Sequence, residues 1–265
     1  MAKKFSIIIP TKNEEKNIGR LIKSVKNQTV KDIEIIVVDN YSTDKTARVA
    51  RQFGAKILRF GPERSAQRNF GAKKANGKIL FFLDADMEVE KKVLNQAAHL
   101  FERNKTIKAV VVPEVSVGEN YWARVRALER SFYLQEPSIE APRIFDRDAF
   151  LMAGGFDESL TAAEDWDLGQ RIKRLGKIGR VTERIIHHEG KLSLFGHLKK
   201  KYYYAKNIQY YAKKHPEKFK AQSGTARLKI FAKNWKKIFA DPIHGTGIFI
   251  LKFLEYLVFL FAKLG

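Results

Sequence analysis

Ile79-Leu-Phe-Phe-Leu-Asp-Ala-Asp86 decides how the rest of the chain is read. Five apolar residues run without interruption into two acids set one residue apart. A short run that is apolar at every position is a strand buried on both faces, as in a parallel sheet. In open α/β sheets, ligands gather at the carboxyl ends of such strands. Asp84 and Asp86 stand at that end, and residues i and i+2 of a strand share a face. Two converging carboxylates repel unless a cation lies between them or one takes a proton. Oxygen-only ligands suit a hard divalent ion such as Mg2+ or Mn2+. Taken alone, the same residues also read as a polar turn after a buried strand.

Two further apolar runs end in polar clusters. Phe5-Ser-Ile-Ile-Ile-Pro10 leads into Thr11-Lys-Asn-Glu14, and Ile33-Glu-Ile-Ile-Val-Val-Asp39 leads into Asn40-Tyr-Ser-Thr-Asp44. Between them Ile18, Leu21, Ile22 and Val25 recur at helical spacing within 14–27. Residues 46–53 and 65–75 read as further helices, and 56–58 as a short strand. This alternation up to Asp84 predicts right-handed crossovers and a parallel sheet of the nucleotide-binding type. All three polar clusters then fall at carboxyl ends of strands, a coincidence that turns alone do not explain. No Gly-x-Gly-x-x-Gly follows the first strand, and no glycine-rich loop ends in Lys-Ser/Thr. Both absences argue against dinucleotide oxidoreductases and P-loop NTPases.

The chain carries an ordered set of motifs. It comprises Ile8-Ile-Pro-Thr-Lys-Asn-Glu14, Val37-Val-Asp-Asn-Tyr-Ser-Thr-Asp44, Arg68-Asn-Phe-Gly71 with Ala75-Asn-Gly77, Leu83-Asp-Ala-Asp86, Gly154-Gly-Phe-Asp-Glu158 and Ala163-Glu-Asp165. From about Phe5 to His187 the sequence resembles the family 2 glycosyltransferases. The resemblance implies an α/β, GT-A fold, a nucleotide-sugar donor (UDP or GDP), a divalent metal and inversion at the anomeric carbon. It implies Asp86 as a direct metal ligand, Asp84 near the ribose and the metal-bound water, and His187 rather than His188 as a third ligand. A histidine at a strand end bonded to backbone is the alternative for His187. Pro10, Thr11, Glu14 and Asp39 would flank base and ribose, with Asn40 standing where many relatives carry Asp. Arg64 and Arg68 would reach the diphosphate or the base.

For the base that activates the acceptor hydroxyl, the resemblance points to Asp165, with Glu164 beside it. Locally, Thr161-Ala-Ala-Glu164 also matches a helix capping box, which would make the acidic pair structural. A rival enzyme reading is transfer to polyprenyl phosphate, an acceptor that is already anionic and needs no base. A rival of another class is a non-catalytic basic module for membrane or nucleic acid, which has no use for these carboxylates.

The chain has 265 residues, enough for one α/β domain and an appendage. It has no cysteine, so disulfides and thiolate chemistry are excluded. The start lacks a leader's charged and apolar regions, so no cleaved signal peptide is expected. The net charge is +21. Residues 191–265 carry 15 lysines and one arginine against three acids, together with 15 aromatic residues. We therefore expect a catalytic region over 1–190, with donor binding in about 1–112 and the acceptor side in about 113–190. A basic, aromatic-rich helical region is expected over 191–265. In Thr225–Ala240, Leu228, Phe231, Trp235, Ile238 and Phe239 fall on one helical face with lysines off it, the layout of a helix lying on an anionic membrane. Asp241-Pro242 should end that helix. Residues 247–262 are very apolar but carry Lys252 and Glu255, which favours an interfacial or docking helix over a span. Covering the sheet or joining two copies in a homo-oligomer is the alternative for these helices. The partners expected are thus a nucleotide sugar, a lipid-linked or glycan acceptor and an anionic membrane at its cytoplasmic face, and no nucleic acid.

Overall fold

The computed structural model describes residues 4–221 and 224–264. The chain runs β1 (Phe5–Thr11), α1 (Ile18–Lys26), β2 (Ile33–Asp39), α2 (Thr46–Gln52), β3 (Lys56–Arg59), α3 (Arg64–Lys73) and β4 (Ile79–Phe82). Then come β5 (Met87–Val89), α4 (Val93–Arg103), β6 (Ile107–Val111), β7 (Glu114–Val117), α5 (Tyr121–Ser131), β8 (Ile144–Asp146) and α6 (Arg147–Met152). The remainder is α7 (Glu164–Lys173), β9 (Lys177–Arg180), β10 (Ile185–His188), α8 (Leu194–Lys214), α9 (Pro216–Ala221), α10 (Gly224–Lys233), α11 (Trp235–Ala240) and α12 (Pro242–Leu264).

The main sheet has the order β3-β2-β1-β4-β8-β6-β9, and β5-β10-β7 form a smaller one. Strands β3, β2, β1 and β4 are parallel, as the alternation predicts. The three-residue β8 is inserted antiparallel to both β4 and β6, a mixed feature that the sequence pattern does not announce. Side chains alternate between two apolar layers, as strand geometry requires. Ile7, Ile9, Val37 and Phe81 face Leu21, Ile22 and Val25 of α1. Ile8, Ile36, Val38, Leu80 and Phe82 face Ala72, Phe150, Leu168 and Ile172 on the opposite side. Burial of both faces is why these runs carry no polar alternation.

By contacts the chain divides into two compact units. The first comprises 1–114, 141–158 and 164–186; the second comprises 115–140, 159–163 and 187–265. The division thus follows other lines than a single cut near 190, because α5 belongs with the C-terminal helices. In the second unit a core of Val125, Phe132, Ile230, Ile248 and Leu251 is flanked by Phe231 and Ile238.

The expected helix over 225–240 is broken at Asn234 into α10 and α11, where the Asn234 Nδ2 donates to the Ile230 carbonyl at 2.9 Å. Its apolar stripe is divided as well. Phe231 turns inward, edge-on to Phe132 at 5.3 Å between ring centroids, whereas Leu228, Trp235 and Phe239 are exposed. The capping box does not form. Helix α7 begins at Glu164 itself, after Ala163 at φ 66°, and the buried Thr161 Oγ1 has no hydrogen-bond partner.

Helix α3 lies very close to the sheet. A Cβ on Gly71 would stand 2.6 Å from Ile8 Cγ2 and 3.0 Å from Val38 Cγ2, both within the layered core. Gly71→Ala is therefore expected to lower stability by about 1–3 kcal/mol, the usual cost of overpacking. Guanidinium denaturation of the two proteins checks this, and equal midpoints would contradict the close packing of α3.

Candidate active site

The strand ends are stitched together before any ligand is considered. Asn13 sits at φ 56°, where its Oδ1 accepts from the Thr43 amide at 2.9 Å. The Glu14 amide donates to Thr46 Oγ1 at 2.7 Å, and the Glu15 amide to Asp44 Oδ2 at 3.1 Å. These bonds fix the loop after β1 against the loop after β2. Gln67 of α3 joins the same edge, donating to the Val38 and Thr11 carbonyls at 2.6 and 3.3 Å. Pro10 and Thr11 are buried at the end of β1, and the Thr11 Oγ1 is a buried polar atom with no hydrogen-bond partner. Asp39 is buried and accepts from both the amide and the hydroxyl of Ser42.

Arg68 is the organising side chain. It is only 2 % exposed, yet its guanidinium contacts three carboxylates. Nη2 donates to Asp84 Oδ1 at 2.8 Å, and Nη1 donates to Glu164 Oε1 at 3.2 Å and Asp165 Oδ1 at 3.3 Å. Arg64, one helical turn earlier, donates to the same Glu164 Oε1 at 3.1 Å. The neighbouring Asn69 makes a reciprocal pair with Phe156, its Nδ2 donating to the Phe156 carbonyl at 2.8 Å and its Oδ1 accepting from the Phe156 amide at 2.9 Å. The Phe156 ring packs against the Arg68 guanidinium, 5.2 Å from its centroid. The Arg-Asn and Gly-Gly-Phe motifs, nearly ninety positions apart, are therefore one local construction.

Asp84 is held from both sides. Arg143 Nη1 lies 3.5 Å from its Oδ2, while Nε and Nη2 of Arg143 donate to Glu114 at 3.1 and 2.8 Å. Burial alone would push the Asp84 carboxyl up. The guanidinium groups of Arg68, Arg143 and Arg64 outweigh it and hold that carboxyl well below the usual range. Burial raises the Glu14 carboxyl, and the nearby carboxylates of Asp86, Asp44 and Asp84 raise it further against a hydrogen bond from Asn17. Glu14, Asp84 and Asp86 thus share one negative field although they come from two strand ends. Burial, followed by the charge of Asp165, pushes Glu164 up to about 7 despite Arg64 and Arg68.

The donor set at Asp84 and Asp86 is oxygen-only, and Asp84 is at the same time engaged by Arg68 and Arg143. It fits a divalent ion of the kind held by one or two carboxylates with phosphate and water completing the shell. Among the described residues, no three His, Asp or Glu side chains form a ready-made metal group. His187 stands with Arg130, which donates to its Nδ1 at 2.8 Å and to Glu189 at 2.9 Å. An arginine can only donate, so Nδ1 is the acceptor and the ring proton lies on Nε2. Gln67, Arg143 and Glu114 carry no sequence signal of their own. Asn69 and Phe156 do, as members of the motifs quoted above.

The family model for glycosyl transferase family 2 matches residues 6–157. Poly(ribitol-phosphate) beta-N-acetylglucosaminyltransferase TarS of Staphylococcus aureus (strain Mu50) is 33% identical over 184 residues, 61% of this chain and 31% of TarS. A 4,4'-diaponeurosporenoate glycosyltransferase of Staphylococcus haemolyticus is 37% identical over 93 residues, 32% of this chain and 24% of that protein. The chain therefore spans about a quarter to a third of the length of these curated relatives. Among solved structures, S. aureus TarS 1-349 superposes with a TM-score of 0.58 at 18% identity, covering 90% of this chain and 72% of that one. A mannosyltransferase from Pyrobaculum calidifontis, in complex with GDP-Man and Mn2+, gives 0.58 at 18% identity, covering 99% and 74%. The fold shared with these structures is the GT-A arrangement of a mostly parallel sheet between helices. With more than half of its length matched by one family model, the chain belongs to glycosyl transferase family 2.

Proposed function

We propose that the chain transfers a sugar, with inversion, from a nucleoside-diphosphate donor to a hydroxyl of a lipid-linked glycan acceptor at the cytoplasmic face of the cell membrane. One observation carries the reading. In a member of a glycosyl transferase family, a single buried guanidinium gathers Asp84, just past the end of β4, with Glu164 and Asp165 of the first turn of α7. Nucleobase and ribose lie against Pro10, Thr11, Glu14 and Asp39. The orphaned Thr11 Oγ1 supports this, because a buried hydroxyl without a partner is what a bound nucleotide would satisfy. Asp39 keeps lone pairs for an imide or guanine N–H beyond those used by Ser42. Arg64, on the first turn of α3, is held by Glu164 with 42% of its side chain exposed, a position from which its guanidinium would face the diphosphate.

A divalent ion, Mn2+ or Mg2+, would be held by Asp86 and Asp84. Once bound, it supplies neutralisation of the charge that grows on the leaving diphosphate. His187 could serve as a third ligand only after release from Arg130. Asp165 is the base. Its side chain is 40% exposed where Glu164 is 5% exposed, so an acceptor hydroxyl can approach Asp165 and not its neighbour. Glu164 is a positioning residue that holds Arg64 and Arg68. The basic, aromatic-rich C-terminal helices support attachment to an anionic membrane.

Three measurements test this. Asp86→Ala should abolish Mn2+-dependent binding of UDP or GDP by calorimetry while leaving the thermal transition in place, and transfer that persists in chelator would remove the metal from the reading. Asp165→Asn should retain donor binding and lose ~10²–10⁴-fold in turnover, the usual worth of a positioned base. A near-wild-type rate would point instead to an acceptor such as polyprenyl phosphate that needs no base. The third test is proton-linked. The folded chain keeps a proton on Glu164 up to about pH 7, whereas the ordinary value is 4.5. The stability contributed by that proton is therefore full below about pH 4.5 and declines as pH rises toward 7. Glu164→Gln should flatten that decline by on the order of 2 kcal/mol, read from urea midpoints across the interval.

A further inference from the structure

Helix α12 has two unlike faces. Gly245, Gly247, Ile248 and Leu251 are buried. A Cβ on Gly247 would meet Tyr121 Oη and Val125 Cγ2 at 2.5 Å, so α12 lies tightly on α5. The two charges that interrupt its apolar sequence also face the protein. Lys252 Nζ lies 2.5 Å from Glu129 of α5 and 2.6 Å from Glu255. Glu255 accepts from His197 of α8 at 2.6 Å and lies 3.5 Å from Lys201. Glu129, itself buried, is further held by Arg126 and by the Tyr133 hydroxyl at 2.9 Å. Lys252 and Glu255 thus each face opposite charge from another helix.

The other face carries Phe249, Ile250, Phe253, Tyr256, Leu260 and Phe261, all exposed. From Phe249 to Phe261 it is an apolar stripe, with no charged residue in it among the side chains described. Segment 242–262 is long and apolar enough to cross a bilayer by length and composition. A span, however, would pull Lys252 and Glu255 away from their partners. Each would then meet lipid without the opposite charge that now offsets it, which is strongly unfavourable.

We propose that α12 is an in-plane membrane anchor whose Phe249–Phe261 stripe enters one leaflet of an anionic bilayer while Lys252 and Glu255 remain locked to α5 and α8. The occupant is chosen by charge. In the same unit, α10 and α11 hold Lys229 and Lys236 exposed beside the outward Leu228, Trp235 and Phe239. Residues 191–265 carry 16 basic side chains against three acids. A second copy meeting this face would bring like charges together, whereas anionic headgroups neutralise them and the acyl region takes the aromatic stripe. This names the surface for the membrane attachment proposed above and rests on that reading for its lipid partner.

The test uses the full chain and sedimentation with vesicles, which reads docking whether or not sugar is transferred. The protein should pellet with phosphatidylcholine–phosphatidylglycerol vesicles at low salt and much less with phosphatidylcholine alone. The double variant Phe249→Ser, Phe253→Ser should bind at least ~10-fold more weakly, from lost apolar burial, with helical circular dichroism and thermal midpoint unchanged. Tryptophan introduced singly by Phe249→Trp and Phe261→Trp should be quenched by brominated lipids at one shared, shallow depth. The proposal is overturned if the wild-type chain ignores anionic vesicles, if the double variant binds as well as wild type, or if the two tryptophans report widely different depths, as a span would. It is also overturned if sedimentation velocity finds a dimer that the double variant dissolves.

Discussion

The Arg68 guanidinium is the interaction on which the first unit depends. A buried cation is tolerated only where opposite charge and hydrogen bonds surround it. Here Asp84 comes from the end of β4, and Glu164 and Asp165 from the first turn of α7. Three carboxylates at such spacing would repel strongly if left to themselves. The single guanidinium holds them within reach of one another and fixes α3 to α7 in doing so. The close packing that Gly71 permits is what brings the α3 backbone near enough for Arg68 to reach all three. Core geometry and site geometry are in this sense the same constraint.

The charge order extends past Arg68. Glu114, Arg143, Asp84, Arg68 and Glu164 alternate in sign along a continuous path through the first unit. Asp84 sits between two guanidinium groups and is thereby kept ionised. Glu164 sits deeper, beside another acid, and is driven toward its protonated form. Two carboxylates in one network are thus pushed in opposite directions by burial and by the sign of their neighbours.

Much of this was legible in the sequence, and the reasons for the rest are physical. Strands β1, β2 and β4 declared themselves because burial on both faces demands consecutive apolar residues, as in Ile7–Ile9, Ile35–Val38 and Ile79–Phe82. Strand β8 did not, since three residues carry no periodicity. Arg68 was visible as part of a motif, but its three partners lie 16 to 97 positions away, and no local pattern encodes such a meeting. Arg143 follows Pro142 with nothing to mark it. The capping reading of Thr161–Glu164 failed because the motif fixes spacing only, while Ala163 turns into the left-handed region and starts α7 at Glu164. In α10 and α11 the apolar periodicity was real, but periodicity cannot say how much of a stripe a neighbour covers. Phe132 took Phe231 and left Leu228, Trp235 and Phe239 uncovered.

Lys252 and Glu255 carry a consequence for how the chain matures. Before α5 and α8 are in place, α12 is an apolar helix with two bare charges at its middle, and lipid rejects bare charges. After they are in place, those charges are neutralised on the protein side, and Phe249, Phe253, Tyr256 and Phe261 are left facing outward. Neutralisation of the two charges therefore depends on the packing of α12 against α5 and α8. On the anchor proposed above, adherence to a bilayer would follow the packing of α12 on α5 and α8 and not precede it.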